Sequence, residues 1–342
     1  MLSKGIAFRL LKVALTSFLF APLLLNLTGC AHLIAHQISS QYSPSIDGNV
    51  SEIFKVSHLC SQNKHCVTVQ NQPKHRFTNL HVTLQTDDKH KRWNFRDDDT
   101  SPTKNRNHLI IVFPGFNTPK QTVASHQAWL NNVTGADVIV IESANASSNF
   151  SFGLNAVEPV LSEVQKRNPE KVDIIGVSMG SVAAQRVASV LESSRLHLIA
   201  PMTDFHHSTL ALWKMLHKDK FYSALIAEED INNAVEIVYS NARLQAKDIN
   251  IVDAVEANTI PTYVYTSAAD KVTLASDWNN IQNNTVKHHT FEDLTHFEMT
   301  SLMDEELLKS FLSNLIERDV EKTKSTTGLV CDIGQSDCAA SE

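Results

Sequence analysis

A succession of short, nearly uninterrupted apolar runs, spaced by segments of helical pattern, constrains this chain more than any other feature. The runs are "LIIVFPG" at 109–115, "ADVIVIES" at 136–143, "VDIIG" at 172–176, "LHLIAPM" at 196–202 and "PTYVYTS" at 261–267, with "VKHHTFE" at 286–292 as a further candidate. A strand with one wet face alternates apolar and polar residues, whereas a strand covered on both faces is apolar throughout. Between the runs, "TVASHQAWLNN" (122–132) reads as helix, and "LNAVEPVLSEVQKRN" (154–168) sets Val157, Val160, Leu161 and Val164 at helical spacing. "VAAQRVASVLES" (182–193) does the same with Ala183, Val187, Val190 and Leu191. Alternating buried strands and helices predict an α/β fold, its mostly parallel sheet covered by helices on both faces. The chain's 342 residues, 42% of them hydrophobic and 20% charged, suffice for a sizeable core.

Upstream of these runs the pattern differs. "IFKVSHL", "CVTVQ", "LHVTLQT" and "RWNF" lie within 51–107, separated by polar stretches, and read as antiparallel hairpin strands. Downstream of "LIAPMTD" come about sixty residues of helical character, long for one crossover. Two readings stand for 205–258: a small cap over a site, or extra helices packed on the sheet. The stripe Leu210, Leu212, Trp213, Met215 and Leu216 would line an apolar pocket in the first and join the core in the second. "MDEELLKSFLSNLIERD" (303–319) is a final amphipathic helix, and 321–342 a polar tail. The main folded domain is therefore expected over 51–320.

One junction carries chemistry. In "VDIIGVSMGSVAAQ" a buried strand runs into a helix through Gly176, Ser178 and Gly180. A serine hydroxyl is a weak nucleophile until its geometry exposes it and a base takes its proton. A tight strand–helix turn projects the central side chain above the sheet and requires tiny neighbours two residues away on each side. The chain holds only ten glycines, so this placement is informative. An acid and a base are then expected in the order Asp or Glu, then His. Asp270 follows the run "PTYVYTS", and His296 sits in "FEDLTHFEMTS" before the last helix. Asp204, after "LIAPM", is the rival acid; Glu292 and Asp293 stand too close to His296. Of the sixteen histidines, His288 and His289 fall in a strand, and His206 and His207 border the helical segment.

From "LIIVFPGF", "IIGVSMGS", "YVYTSAADKV" and "LTHFEM", the chain resembles the α/β-hydrolase superfamily, in particular its bacterial esterases and lysophospholipase-like members, over roughly 108–317. The resemblance implies a serine hydrolase of carboxylic esters. Ser178 would attack, His296 would carry the proton, and Asp270 would orient His296. The N–H groups of Phe116 and Met179 would hold the oxyanion. No cofactor or metal is called for. The sequence departs from the family's pattern at Pro114, where His is common, at Thr295, where Gly often precedes the histidine, and at Thr273, where Pro is common. A thioesterase or amidase would use the same groups, and a non-catalytic scaffold binding a ligand or envelope partner is the reading from another class.

The first thirty residues form a unit of their own. Lys4, Arg9 and Lys12 precede an apolar run from Val13 to Leu27, with no acidic residue, as in a secretory signal peptide. Its ending "LTGC" resembles the lipobox of bacterial lipoproteins, which implies cleavage after residue 29 and lipidation of Cys30; ordinary secretion is the rival. Ala31 after the cysteine fits delivery to the outer membrane of a bacterial envelope, and residues 30–50 would serve as a polar tether. Loss of 1–29 removes three bases and no acid, taking the net charge from −7 to −10. An acidic surface does not attract phosphate backbones, so nucleic acid is not an expected partner. The expected partners are a small-molecule or lipid ester and the membrane. Besides Cys30, the cysteines fall into two local pairs, Cys60 with Cys66 and Cys331 with Cys338. Disulfides are the simple reading in an exported chain; a zinc site at His58, Cys60, His65 and Cys66 is the alternative, with unfamiliar spacing.

Overall fold

The computed structural model describes residues 30–40, 54–73, 79–85, 90–96, 105–146, 150–217, 220, 226–302, 304–316, 329–331 and 338–340. The proposed signal peptide lies outside them. No helix among the described residues is long and apolar enough to cross a membrane.

The apolar runs become the strands expected of them. They are β5 (Asn105–Phe113), β6 (Ala136–Ile141), β7 (Lys171–Val177), β8 (Ser194–Ile199), β9 (Thr262–Ser267) and β10 (Val286–Phe291). All pair in parallel. The hairpin β1 (Phe54–Cys60) and β2 (Cys66–Pro73) joins antiparallel at the β6 edge, giving an eight-stranded sheet of order β1-β2-β6-β5-β7-β8-β9-β10. A second antiparallel hairpin, β3 (Asn79–Gln85) with β4 (His90–Arg96), forms its own two-stranded sheet.

Side-chain alternation on the central strands divides the core in two. Leu109, Ile111 and Phe113 of β5, with Val172 and Ile174 of β7, face one layer; Ile110, Val112, Ile175 and Val177 face the other. The first layer is closed by α3 (Val157–Arg167), α4 (Gly180–Ala188) and α6 (Glu228–Ala242). The second is closed by α2 (Lys120–Thr134), α9 (His296–Ser301) and α10 (Glu305–Leu315). Strands apolar on both sides are thus explained by helices on both sides.

Between β8 and β9 lie α5 (Phe205–His217), α6, α7 (Ala246–Ile249) and α8 (Val252–Glu256). Ile231, Ala234, Val235, Val238, Ile249 and Val255 are buried in the sheet's first core layer. Leu210 and Trp213 of α5 pack against the same layer, while Met215 and Leu216 are exposed.

The tether expected over 30–50 needs correction in its first ten residues, while 41–50 lie outside the described residues. Residues 30–39 are helical, here α1, and Ala31, Ile34 and Ala35 are buried in the first core layer with Ile38 packed against it. These positions have the i, i+3, i+4, i+7 spacing of an amphipathic helix, hidden in a short and otherwise polar stretch. Cys60 and Cys66, paired residues at the end of the β1–β2 ladder, form a disulfide, so neither thiolate is available to a metal. In the tail, β11 (Leu329–Cys331) pairs with β12 (Cys338–Ala340), and the register sets Cys331 opposite Cys338.

Candidate active site

β7 ends at Val177 and α4 begins at Gly180, so Ser178 occupies the turn expected from the sequence. Its φ of 50° is left-handed, a conformation that a non-glycine residue holds only when its surroundings insist. They do so here. The Ser178 N–H donates to Ile199 O at 2.9 Å, and the Ser178 carbonyl accepts from Ser181 N at 3.0 Å and Met202 N at 3.2 Å.

The two glycines are needed for different reasons. A Cβ on Gly176 would lie 2.6 Å from Ser181 Cα and 2.7 Å from Ala184 Cβ, against the new helix. A Cβ on Gly180 would lie 2.1 Å from Phe113 O and 2.5 Å from Pro114 O, at the end of the neighbouring strand β5. Gly180 therefore admits the loop after β5 rather than the elbow's own strand.

That loop borders the serine. A Cβ on Gly115 would sit 3.2 Å from Ser178 Cβ and 3.7 Å from its Oγ. Neither the Phe116 N–H nor the Met179 N–H donates to any acceptor among the described residues. Met179 follows Ser178 directly, and Phe116 follows Gly115, the residue that approaches the serine.

His296 is the first residue of α9, whose N-cap is Thr295. Its Nε2 lies 3.1 Å from Ser178 Oγ and its Nδ1 2.8 Å from Asp270 Oδ2. Asp270, in the loop after β9, is buried. Its Oδ1 accepts from Val272 N at 2.8 Å and Thr273 N at 3.1 Å, and its Oδ2 accepts from the Thr273 hydroxyl at 2.7 Å. Burial alone would raise the Asp270 pKa, but the hydrogen bond and charge of His296 and the bonds from Thr273 outweigh it. The carboxyl is held below its usual value. The structure thus joins Ser178, His296 and Asp270 in one chain of hydrogen bonds.

The other sequence candidates lie elsewhere. Asp204 Oδ1 accepts from His206 N at 2.8 Å and His207 N at 3.1 Å, so the rival acid ties down the first turn of α5. His207 Nε2 meets Lys271 O at 3.0 Å, and His288 Nε2 lies 2.7 Å from Thr266 Oγ1. Cys30 begins α1 and is partly exposed.

Two departures from the family's pattern acquire a local purpose. Thr273 serves Asp270, as above. Thr295 forms a capping box with Glu298: the Thr295 N–H and hydroxyl donate to Glu298 Oε2 at 2.9 and 2.8 Å, and Thr295 Oγ1 accepts from Glu298 N. This fixes the backbone that presents His296. A T-H-F-E sequence carries the box signature, Thr followed three residues later by Glu, and is where a sequence reader could have found it.

Sheet order, strand–helix elbow and converging loops define a protein of α/β-hydrolase fold. Among solved structures, an esterase from Pyrococcus furiosus superposes with a TM-score of 0.51 at 13% identity, covering 82% of this chain and 97% of its own. In another crystal form it gives 0.50 at 13% identity, covering 81% and 98%. A thermophilic esterase from Thermogutta terrifontis gives 0.47 at 12% identity, covering 83% and 98%. No protein-family model matches the chain, and no curated protein matches it in sequence.

Proposed function

We propose that the protein is a serine hydrolase of carboxylic esters, with Ser178 as nucleophile, His296 as general base and acid, and Asp270 as the residue that orients His296. The observation that carries this reading is the 3.1 Å contact from Ser178 Oγ to His296 Nε2, continued at 2.8 Å to Asp270. With Nδ1–H donated to the carboxylate, Nε2 is left to accept the Ser178 proton. Attack of Oγ on the ester carbonyl gives a tetrahedral oxyanion beside the free N–H groups of Phe116 and Met179. Collapse passes the proton from His296 to the leaving alcohol and leaves an acyl-serine. Water, activated by the same imidazole, then releases the acid.

The reading extends to location. The leader and "LTGC" support an envelope lipoprotein acylated at Cys30, delivered by Ala31 to the outer membrane. A flexible tether of twenty residues would span about 25 Å on average. α1 removes that slack, because Cys30 opens a helix packed on the core. The body would rest on the bilayer, which favours lipidic esters such as lysophospholipids as substrates. Neighbouring esterases of known structure support ester chemistry in general.

A fluorophosphonate probe tests the nucleophile. Wild type is expected to label and Ser178→Ala to remain unlabelled; equal labelling would overturn the assignment. Cys30→Ser is expected to move the protein from the membrane to the soluble fraction. An ester series of rising acyl length, with lysophospholipids included, then defines the substrate class.

A further inference from the structure

Two buried side chains outside the hydrogen-bonded trio bear on the same chemistry. Ser143 and Asn145 lie in the turn after β6, and Asn145 has no exposed surface. Parallel pairing of β5 with β6 brings the loops after both strands to one end of the sheet. There the Ser143 hydroxyl lies 2.8 Å from Gly115 O and 2.7 Å from Asn145 Oδ1. Thr118 Oγ1 donates to Gly115 O as well, at 3.1 Å. Asn145 Oδ1 accepts from Asn117 N at 2.9 Å, and its Nδ2 donates to Asn117 Oδ1. Asn117 itself is left-handed, with φ 52°. The same amide reaches Ser40 O, just past α1, at 3.4 Å.

The consequence follows from one peptide plane. The Gly115 carbonyl and the Phe116 N–H belong to the same peptide unit, which is trans. In a trans peptide the two groups point in opposite directions. Anchoring the carbonyl in the Ser143 and Thr118 hydroxyls therefore turns the N–H to the other side. A flip of this peptide would present a carbonyl oxygen where the oxyanion forms, replacing attraction by repulsion. The segment from Pro114 to Pro119 belongs to no strand or helix, so no ladder fixes its planes.

We propose that Ser143 and Asn145 are positioning residues for the oxyanion hole, holding the 115–116 peptide in the orientation that offers the Phe116 N–H. The inference rests on Ser178 acting as nucleophile and on Phe116 as an oxyanion donor. Neither Ser143 nor Asn145 needs to touch substrate. Their effect is confined to the tetrahedral stage, since ground-state binding does not require a donor at that point.

The test uses the full chain with a short-chain aryl ester and an alkyl boronic acid, whose tetrahedral adduct on serine mimics the oxyanion. Asn145→Ala and Ser143→Ala are expected to lower kcat about 30- to 100-fold with KM within twofold, and to weaken the boronate by the same factor as kcat/KM. Ser143→Thr, which keeps the hydroxyl, is expected to retain most of kcat. Should Asn145→Ala fail to fold, Ser143→Ala with Thr118→Val removes both anchors of the Gly115 carbonyl and leaves Asn145 with its bonds to Asn117. An active wild type whose variants keep kcat and boronate affinity, or lose only thermal stability, would overturn this inference alone. A wild type that neither turns over ester nor binds boronate would overturn the hydrolase reading, and this one with it.

Discussion

Thr273 and His296 converge on a single oxygen of Asp270: the threonine hydroxyl lies 2.7 Å and the imidazole Nδ1 2.8 Å from Oδ2. Both stabilise the anion, and together they hold its pKa down against the effect of burial. Thr273→Val removes one donor and leaves the shape. The folded-state pKa of Asp270 is then expected to rise toward its usual value, so activity fades at a higher pH on the acid side. A hydrogen bond to a charged acceptor contributes about 1.5–3 kcal/mol, and kcat/KM near neutrality is expected to fall about tenfold. A kcat/KM profile against pH checks this; an acid limb identical to wild type would remove Thr273 from the account.

How far the sequence showed this site depends on the kind of residue. Ser178, Asp270 and His296 were legible because each proposed role demands a particular side chain at the end of a recognisable strand or before a helix. Gly176 and Gly180 were legible as a pair, but the neighbour that excludes a side chain at Gly180 lies on β5, more than sixty positions away, and no local pattern encodes it. Asn145 belongs to "ANASSNFS", which reads as an ordinary polar loop; its meaning comes from the parallel pairing of β5 and β6. Asp204 looked like an acid after a strand, yet a carboxylate there serves equally well to tie a helix start. α1 escaped because ten residues with four small or branched apolar positions carry a weak periodic signal.

A buried cluster at the other end of β7 is expected to govern the acid stability. Asp173 is hydrogen-bonded by His108 at 2.6 Å, His197 at 3.1 Å and Arg195 at 2.7 Å, and Arg195 also donates to Leu315 O at the end of α10. Burial raises the Asp173 carboxyl, but the bonds from these three residues outweigh it and hold it far below the usual range. Burial lowers His197 despite Asp173, and it lowers His126 to about 4. A histidine with a folded pKa below about 6.5 takes a proton more readily when unfolded, so stability falls as pH drops through 6.5. A carboxylate with a depressed folded pKa adds a further loss below about pH 4. The melting temperature is therefore expected to decline continuously from pH 7 to pH 3, checked by calorimetry; a maximum near pH 4 would contradict this.

α1 is part of the folded body, not an appendage. Ile34 is 5% exposed within the core and Leu33, next to it, is 72% exposed. Ile34→Ala should cost about 2–4 kcal/mol, the usual range for truncating a buried isoleucine. Leu33→Ala should change stability by less than about 0.5 kcal/mol. Urea unfolding of the two variants separates a docked helix from a loose leader; equal midpoints would mean that α1 contributes nothing to the fold.

Gly180 couples packing to chemistry more directly. The atoms that a side chain would strike, Phe113 O at 2.1 Å and Pro114 O at 2.5 Å, are backbone atoms at the end of a central strand and cannot rotate away. Even alanine must therefore push β5 and the following Gly115–Phe116 peptide away from Ser178, or push α4 away from both. Gly153 makes the comparison: its φ is 80°, but a Cβ there would meet Ala183 Cβ at 3.4 Å and Ala144 Cβ at 3.7 Å, both ordinary contacts. Gly153→Ala should cost about 1 kcal/mol of backbone strain and leave kcat within a fewfold of wild type. Gly180→Ala should lower kcat at least about 100-fold in whatever fraction folds, because the displaced segment carries the oxyanion donor proposed above. Measuring kcat per folded molecule, with the folded fraction taken from calorimetry, separates the two effects. Near-wild-type turnover in Gly180→Ala would mean that the Phe116 N–H is not where the reaction needs it.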